Sequence, residues 1–285
     1  DLLQVNAESR SPEDLCEELK SRGTLTAYQA DRLLTDGSWL AFDRYVLLEP
    51  LNRETGGMTF LARHRAMRRT VVLRVLHDPA SSSAPGDQIV TRFLSDAQVA
   101  GRLNNPHITH IFDAGRSGPY LFLVMEFVPG TSLQQVVERR GPLPVAHALE
   151  FARQIAIGLD HMAAEGLVHR NIQPGNILLT RASPQYPLGC IKLLDPGFAQ
   201  VAQPSLQSED SIENFEGTGL QLEGYAAPEQ FVRLSGVDIR ADLYSLGCTL
   251  YFLLAGKPPF SGNPSQQLAR NAEPTLLLQQ IRDDV

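Results

Sequence analysis

The chain has 285 residues, 43% of them hydrophobic, and a formal net charge of −7. That is enough apolar material for one large two-lobed domain or two small ones, while the acidic balance argues against nucleic-acid binding, which favours a basic surface. Cys16, Cys190 and Cys248 are far apart, odd in number and without metal-ligand spacing, so a reducing, cytoplasmic compartment is the default reading.

Residues 1–40 read as a separate helical hairpin. Ser11 caps a helix with Pro12 in its first turn and Asp14 three residues on; Leu15 and Leu19 share a face, and Gly23 stops the run. Thr26 to Gln29 repeats the capping pattern, and Leu33 and Leu34 supply apolar surface before Gly37. Two helices this short cannot bury a core alone, so they are expected to dock on the main domain or on a partner. The chain starts at Asp1 rather than Met, so an excised segment of a longer protein is expected.

From Tyr45 the pattern changes to strands. Residues 45–48, 59–62 and 70–76 are rich in β-branched and aromatic residues. Arg63, Arg65, Arg68 and Arg69 cluster between two of these runs and read as a solvated hairpin tip. Residues 88–103 place Ile89, Phe93, Ala97 and Ala100 at helical spacing. Strand-like runs follow at 111–112 and 120–125, and helices are predicted at about 131–139, 145–165 and 239–255. No signal peptide is seen. The longest mostly apolar stretch, Leu243 to Gly256, is shorter than the ~18–20 residues that span a bilayer and reads as a buried helix. Strands first and helices later is an α+β order.

His169-Arg170-Asn171-Ile172-Gln173-Pro174-Gly175-Asn176 resembles the catalytic loop of a protein kinase, H-R-D-x-x-x-x-N. Further landmarks follow the family order. Val71-Val72-Leu73-Arg74 matches V-A-I-K, Asp195-Pro196-Gly197 matches D-F-G, and Ala227-Pro228-Glu229 matches A-P-E. Asp242 to Gly247 matches the buried helix that anchors the catalytic loop. From about residue 43 onward the chain resembles a bacterial Ser/Thr protein kinase domain, and residues 1–40 resemble a helical segment that precedes it in some bacterial kinases. The resemblance implies a two-lobed protein-kinase-like fold over 41–285, with a β-rich N-lobe at about 43–125 and a helical C-lobe at about 130–285. Family chains continue with two more helices, one carrying an Arg that pairs with the Glu229 position, so the C-lobe is expected to be truncated or closed differently.

The resemblance also assigns the site. Asn171 stands where the family has the Asp that accepts the substrate hydroxyl's proton; a carboxamide can orient a hydroxyl but cannot take up its proton at neutral pH. Gln173 stands where a Lys neutralises the transferring phosphoryl group. Asn176 and Asp195 match the two Mg²⁺ ligands, and oxygen ligands of this type suit Mg²⁺. Arg74 replaces the phosphate-binding Lys and Asp96 the Glu that holds it; Arg is longer and Asp shorter, so the pair could span a similar gap. Asn52, Glu54 and Gly57 occupy the three glycine positions of the phosphate loop, which reads better as a plain β-hairpin turn. Val72, Met125, Glu126, Val128 and Leu178 line the adenine slot, narrowed by Val72 and Thr59. Pro196, fixing φ and lacking an N–H, implies a locked switch.

Segment 195–229 carries Ser205, Ser208, Ser211 and Thr218 among Glu209, Asp210, Glu213 and Glu216. A carboxylate there could pair permanently with Arg170, which in the family can pair with a phosphate; an exposed acidic loop is the plainer reading. Loss of a base costs about 10²–10⁴-fold, and loss of phosphate-facing cations removes a larger electrostatic contribution. The expectation is a pseudokinase, no enzyme in practice, that acts on protein partners as a regulatory or scaffolding module, with ATP and Mg²⁺ bound weakly or not at all. The alternative is a low-activity Ser/Thr kinase with Arg74 acting for the lysine.

Overall fold

The computed structural model describes residues 11–35, 37–54, 57–77, 86–196, 224–232 and 236–260. Helices α1 (Pro12–Ser21) and α2 (Ala27–Thr35) come first. Ser11 accepts a hydrogen bond from the Asp14 N–H while Asp14 accepts from the Ser11 N–H, so the predicted capping box forms. Strands β1 (Ala41–Phe42), β2 (Tyr45–Glu54), β3 (Gly57–His64), β4 (Thr70–His77), β5 (Ile111–Ser117) and β6 (Tyr120–Glu126) build one sheet in the order β1-β2-β3-β4-β6-β5. Every neighbouring pair is antiparallel.

Both faces of this sheet are covered. Helix α3 (Gly86–Ala100) sets Phe93, Ala97 and Ala100 against Leu76, Leu121, Leu123 and Met125. On the opposite face Phe60, Leu73, Phe122 and Val124 pack with Tyr28 of α2 and with Trp39. Alternate residues of β4 and β6 thus serve opposite cores, which explains why both strands read as unbroken apolar runs. The Gln29 amide donates to the Leu47 carbonyl at 2.7 Å, and the Thr26 hydroxyl donates to the Leu48 carbonyl. These bonds seat the hairpin on β2; Leu33 and Leu34 remain exposed.

The second half is helical around a small sheet. β7 (Thr131–Ser132) leads into α4 (Leu133–Arg140), followed by α5 (Val145–Ala164), β8 (Ile177–Leu179), β9 (Ile191–Leu193), α6 (Glu229–Val232) and α7 (Ile239–Ala255). Phe151, Ile155 and Leu159 of α5 bury against Phe252 and Leu253 of α7 and against Ile177 and Leu193. The three short strands order β7-β8-β9. They escape a sequence reading because two or three residues carry too little periodicity. No helix among the described residues is long and apolar enough to cross a membrane. The arginines at the β3–β4 turn are all exposed, and Arg69 also lies over the Phe112 ring, 3.6 Å from its centroid. The serines, Thr218 and acids of the 205–218 stretch, Gly197, and residues 261–285 lie outside the described residues, as does any contact they make with Arg170 or Glu229.

Candidate active site

The loop between α5 and β8 is anchored from beneath. Asp242, fully buried in the first turn of α7, accepts the His169 N–H and the Arg170 N–H, each at 2.7 Å. Burial pushes its carboxyl above the ordinary range, against the pull of these donors and of neighbouring His169 and Arg170. Arg170 holds φ 63°, a left-handed conformation uncommon for a side-chain-bearing residue. Its carbonyl accepts from the Gln230 amide at 2.8 Å, and the Gln230 carbonyl oxygen accepts the Ala227 N–H at 3.0 Å. The segment at Ala227-Pro228-Glu229 is thereby tied to the loop.

Beyond Arg170 three amides form a connected group. Gln173 Nε2 donates to Asn171 Oδ1 at 2.8 Å, and Asn176 Nδ2 donates to the Asn171 carbonyl at 3.1 Å. Asn176 keeps Oδ1 as an acceptor. The Leu194 N–H donates to the Asn176 carbonyl at 3.0 Å, which brings Asn176 against the residue preceding Asp195. Asp195 also sits at positive φ, 52°, and its Oδ2 lies 2.9 Å from Arg74 Nη1. Asn176 Oδ1 and the Asp195 carboxylate are hard oxygen donors of the kind that hold Mg²⁺, so their chemistry fits the ion, with Asp195 Oδ2 engaged by Arg74.

Arg74 is where the structure departs from the sequence reading. Its side chain, on β4 opposite Leu123 and only 6% exposed, forms its ion pair with Asp195. Asp96 does not hold it. Asp96 Oδ2 lies 3.9 Å from Arg92 Nε, one turn back on α3. Burial raises its carboxyl, opposed by the charges of Arg92 and Arg170. The longer Arg reaches Asp195, and the shorter Asp stays with its own helix.

The adenine-side residues are distributed as strand register dictates. Val72 pairs with Met125 across β4 and β6, and both belong to the core beneath α3. Val128 is buried just beyond β6, and Leu178 on β8 is half-buried opposite Lys192. Gly57 has a packing reason of its own. A Cβ there would lie 2.6 Å from Leu76 Cδ2 and 2.7 Å from the Val75 carbonyl oxygen, so its missing side chain serves the close approach of β3 to β4. Glu54 pairs with Gly57 across the hairpin, while residues 55–56 and the side chains of Asn52 and Glu54 lie outside the described residues. Pro196 is buried.

Two residues at this site escaped the sequence reading. Gln230 is a buried amide in the first turn of α6, indistinguishable in sequence from a surface residue. Lys192 donates to Glu126 Oε2 at 2.8 Å and to the Ile108 carbonyl at 3.2 Å; a charge between two apolar residues of a short strand was its signal.

Comparison with known proteins agrees with this geometry. The family model described as protein kinase domain matches residues 45–284, and the chain belongs to the protein kinase family. It is 34% identical over 233 residues to the serine/threonine-protein kinase PknB of Mycobacterium tuberculosis, covering 80% of this chain and 35% of that protein. It is 34% identical over 232 residues to the serine/threonine-protein kinase pkn2 of Myxococcus xanthus, covering 81% of this chain and 26% of that one. The chain spans between about a quarter and a third of the length of these curated relatives. Among solved structures, the Mycobacterium tuberculosis PknI kinase domain superposes with a TM-score of 0.65 at 28% identity, covering 87% of this chain and 84% of that one.

These findings overturn the expectation that the chain is no enzyme. A kinase-domain match spanning every landmark of the site, and relatives that are Ser/Thr protein kinases by name, place the chain in a family of enzymes. Kinase domains in general bind ATP and Mg²⁺.

Proposed function

We propose that this domain is a low-rate Ser/Thr protein kinase, transferring the γ-phosphoryl group of ATP to hydroxyls of protein substrates. The observation that supports this best is the placement of Arg74 against Asp195, with Asn176 bonded to the residue preceding Asp195. In this reading Arg74 would be the phosphate-facing cation, beside the metal-ligand position Asp195 and near Asn176.

Phosphoryl transfer depends mainly on positioning and on charge stabilisation, with little covalent work for the protein. ATP with Mg²⁺ supplies the transferable group and the charge on which transfer depends. Asn176 Oδ1 and the Asp195 carboxylate would hold the metal, and Arg74 would face the phosphates. Asn171, its Oδ1 already accepting from Gln173, orients the acceptor hydroxyl through its second lone pair. It cannot take the proton, which leaves late to solvent or to the product phosphate. A missing base costs about 10²–10⁴-fold, so a slow but measurable turnover is the consequence. The backbone of Glu126 to Val128 faces the base of the nucleotide.

The test is incubation of the purified protein with γ-labelled ATP, Mg²⁺ and a basic protein acceptor, followed by phosphoamino-acid analysis. Labelled phosphoserine or phosphothreonine that disappears with EDTA supports the reading. No label above a protein-free control, with folded protein, rejects it.

A further inference from the structure

Lys192 and Glu126 form a contact that the transfer chemistry does not itself use. The connection after α3 is fastened to β9 rather than to the sheet it leads into. The Leu193 N–H donates to the His107 carbonyl at 2.8 Å, and the Thr109 N–H and hydroxyl both donate to the Leu193 carbonyl at 3.0 Å. At its start, the Asn104 N–H reaches His161 Nε2 of α5 at 3.4 Å. The backbone of residues 104–109 is therefore bonded to the helical half, while Ile108 also packs in the core beneath α3.

Glu126, the last residue of β6, is held twice to the end of that connection and once to β9. Its N–H donates to the His110 carbonyl at 2.8 Å, its Oε2 accepts the His110 N–H at 3.3 Å, and the same oxygen accepts Lys192 Nζ at 2.8 Å. Lys192 Nζ also donates to the Ile108 carbonyl. The side chains are only 14% and 25% exposed for Lys192 and Glu126, so the pair is shielded from salt more than a surface pair would be. Burial alone would raise the Glu126 carboxyl, but the bonds from Lys192 and His110 outweigh it and hold it below the ordinary range.

One ammonium thus joins three segments: the start of the nucleotide-facing strap at Glu126, the connection that follows α3, and β9, three residues before Asp195. We infer that Lys192 is a positioning residue, a brace that fixes the backbone of residues 126–128 relative to the metal-ligand position Asp195 and so sets the affinity for ATP. The inference rests on the kinase reading for its consequence in ATP affinity. It does not rest on it for the brace itself.

The experiment compares wild type with Lys192→Met, which keeps most of the apolar stem and removes the charge, Lys192→Arg, which keeps charge and donors, and the near-isosteric Glu126→Gln. Amide hydrogen exchange is read at His110 and Glu126, and KM for ATP is read against kcat. Lys192→Met is expected to speed exchange at both amides about tenfold, the scale of one charge-assisted hydrogen bond, and to raise KM for ATP by a similar factor with kcat within about twofold. Glu126→Gln is expected to do the same, the double variant no more than either single, and Lys192→Arg to restore most of both. A merely structural lysine would lower apparent kcat through unfolded protein and leave KM alone. Unchanged exchange in Lys192→Met, or in Glu126→Gln if the lysine variant does not fold, overturns the brace. Faster exchange without any phosphate transfer by wild type would uphold the brace and reject the kinase reading instead.

Discussion

Arg74 and Asp195 are 121 residues apart in sequence and 2.9 Å apart in space. Their pair links the central strand β4 of the sheet to the end of β9 in the helical half. Arg74 is 6% exposed, so removing either charge leaves the other in a poorly solvated place. A double-mutant cycle with Arg74→Met and Asp195→Asn, read by urea unfolding, is expected to give a coupling of about 1–3 kcal/mol. Additive single effects would show that the two charges do not sense each other.

Asn171 sits where a carboxylate would also fit. Gln173 Nε2, which now donates to Asn171 Oδ1, can donate equally to an aspartate. Asn171→Asp is expected to raise kcat about 10–10²-fold, the lower part of what a general base contributes, because the cation expected at position 173 is still missing. KM for ATP should stay within about twofold. Steady-state kinetics with a protein acceptor check this; an unchanged kcat would mean that proton removal does not limit the rate.

Gly57 separates a nucleotide role from a packing role. Gly57→Ala drives a Cβ into Leu76 and the Val75 carbonyl, so thermal unfolding should show a loss of about 1–3 kcal/mol, the usual cost of overpacking. The loss should be the same with and without Mg·ATP. A variant as stable as wild type with weakened nucleotide binding would assign the glycine to the phosphates.

Glu150 gives a pH dependence. The bidentate bond from Arg153, then the bond from Gln154, draws its carboxyl from 4.5 down to about 2. A depressed acid contributes stability that is complete above its unfolded value and is lost as pH falls from about 4.5 through about 2. The pair is solvent-exposed, so the contribution is small, below about 1 kcal/mol. Wild type should therefore exceed Glu150→Gln in urea midpoint at pH 7, with the gap narrowing as pH falls below about 4.5 and closing only near and below about 2. A gap that stays constant between pH 7 and about 2 would assign it to packing.

Much of the architecture was legible in the sequence because its signals are local. The capping box at Ser11–Asp14, the helical spacing of Phe93 and Ala97, and the apolar runs of β4 and β6 each follow from residues a few positions apart. The order of the landmarks placed Asn171, Asn176 and Asp195 in one site, and the structure joins Asn176 to both Asn171 and Leu194. The partner of Arg74 was not legible. Asp96 and Asp195 are both acids within plausible reach in sequence terms, and only the length of the arginine and the turn at Asp195 decide between them. Lys192 and Gln230 were missed for a related reason: their partners lie 66 and 60 residues away, and no local pattern announces such bonds. The inference from the missing base and cations to a protein that is no enzyme failed differently. A missing base lowers a rate, and the size of that loss does not by itself place a chain outside catalysis.

The measurement that tests the account most directly is Mg²⁺-dependent transfer of γ-phosphate to serine or threonine of a protein acceptor, by wild type and Asp195→Ala in parallel. The account predicts slow, reproducible transfer by wild type and a drop of at least about 10²-fold in the variant, since the substitution removes the proposed metal-ligand position and the partner of Arg74 together. Equal transfer by both proteins, or none by folded wild type at millimolar ATP, would contradict it.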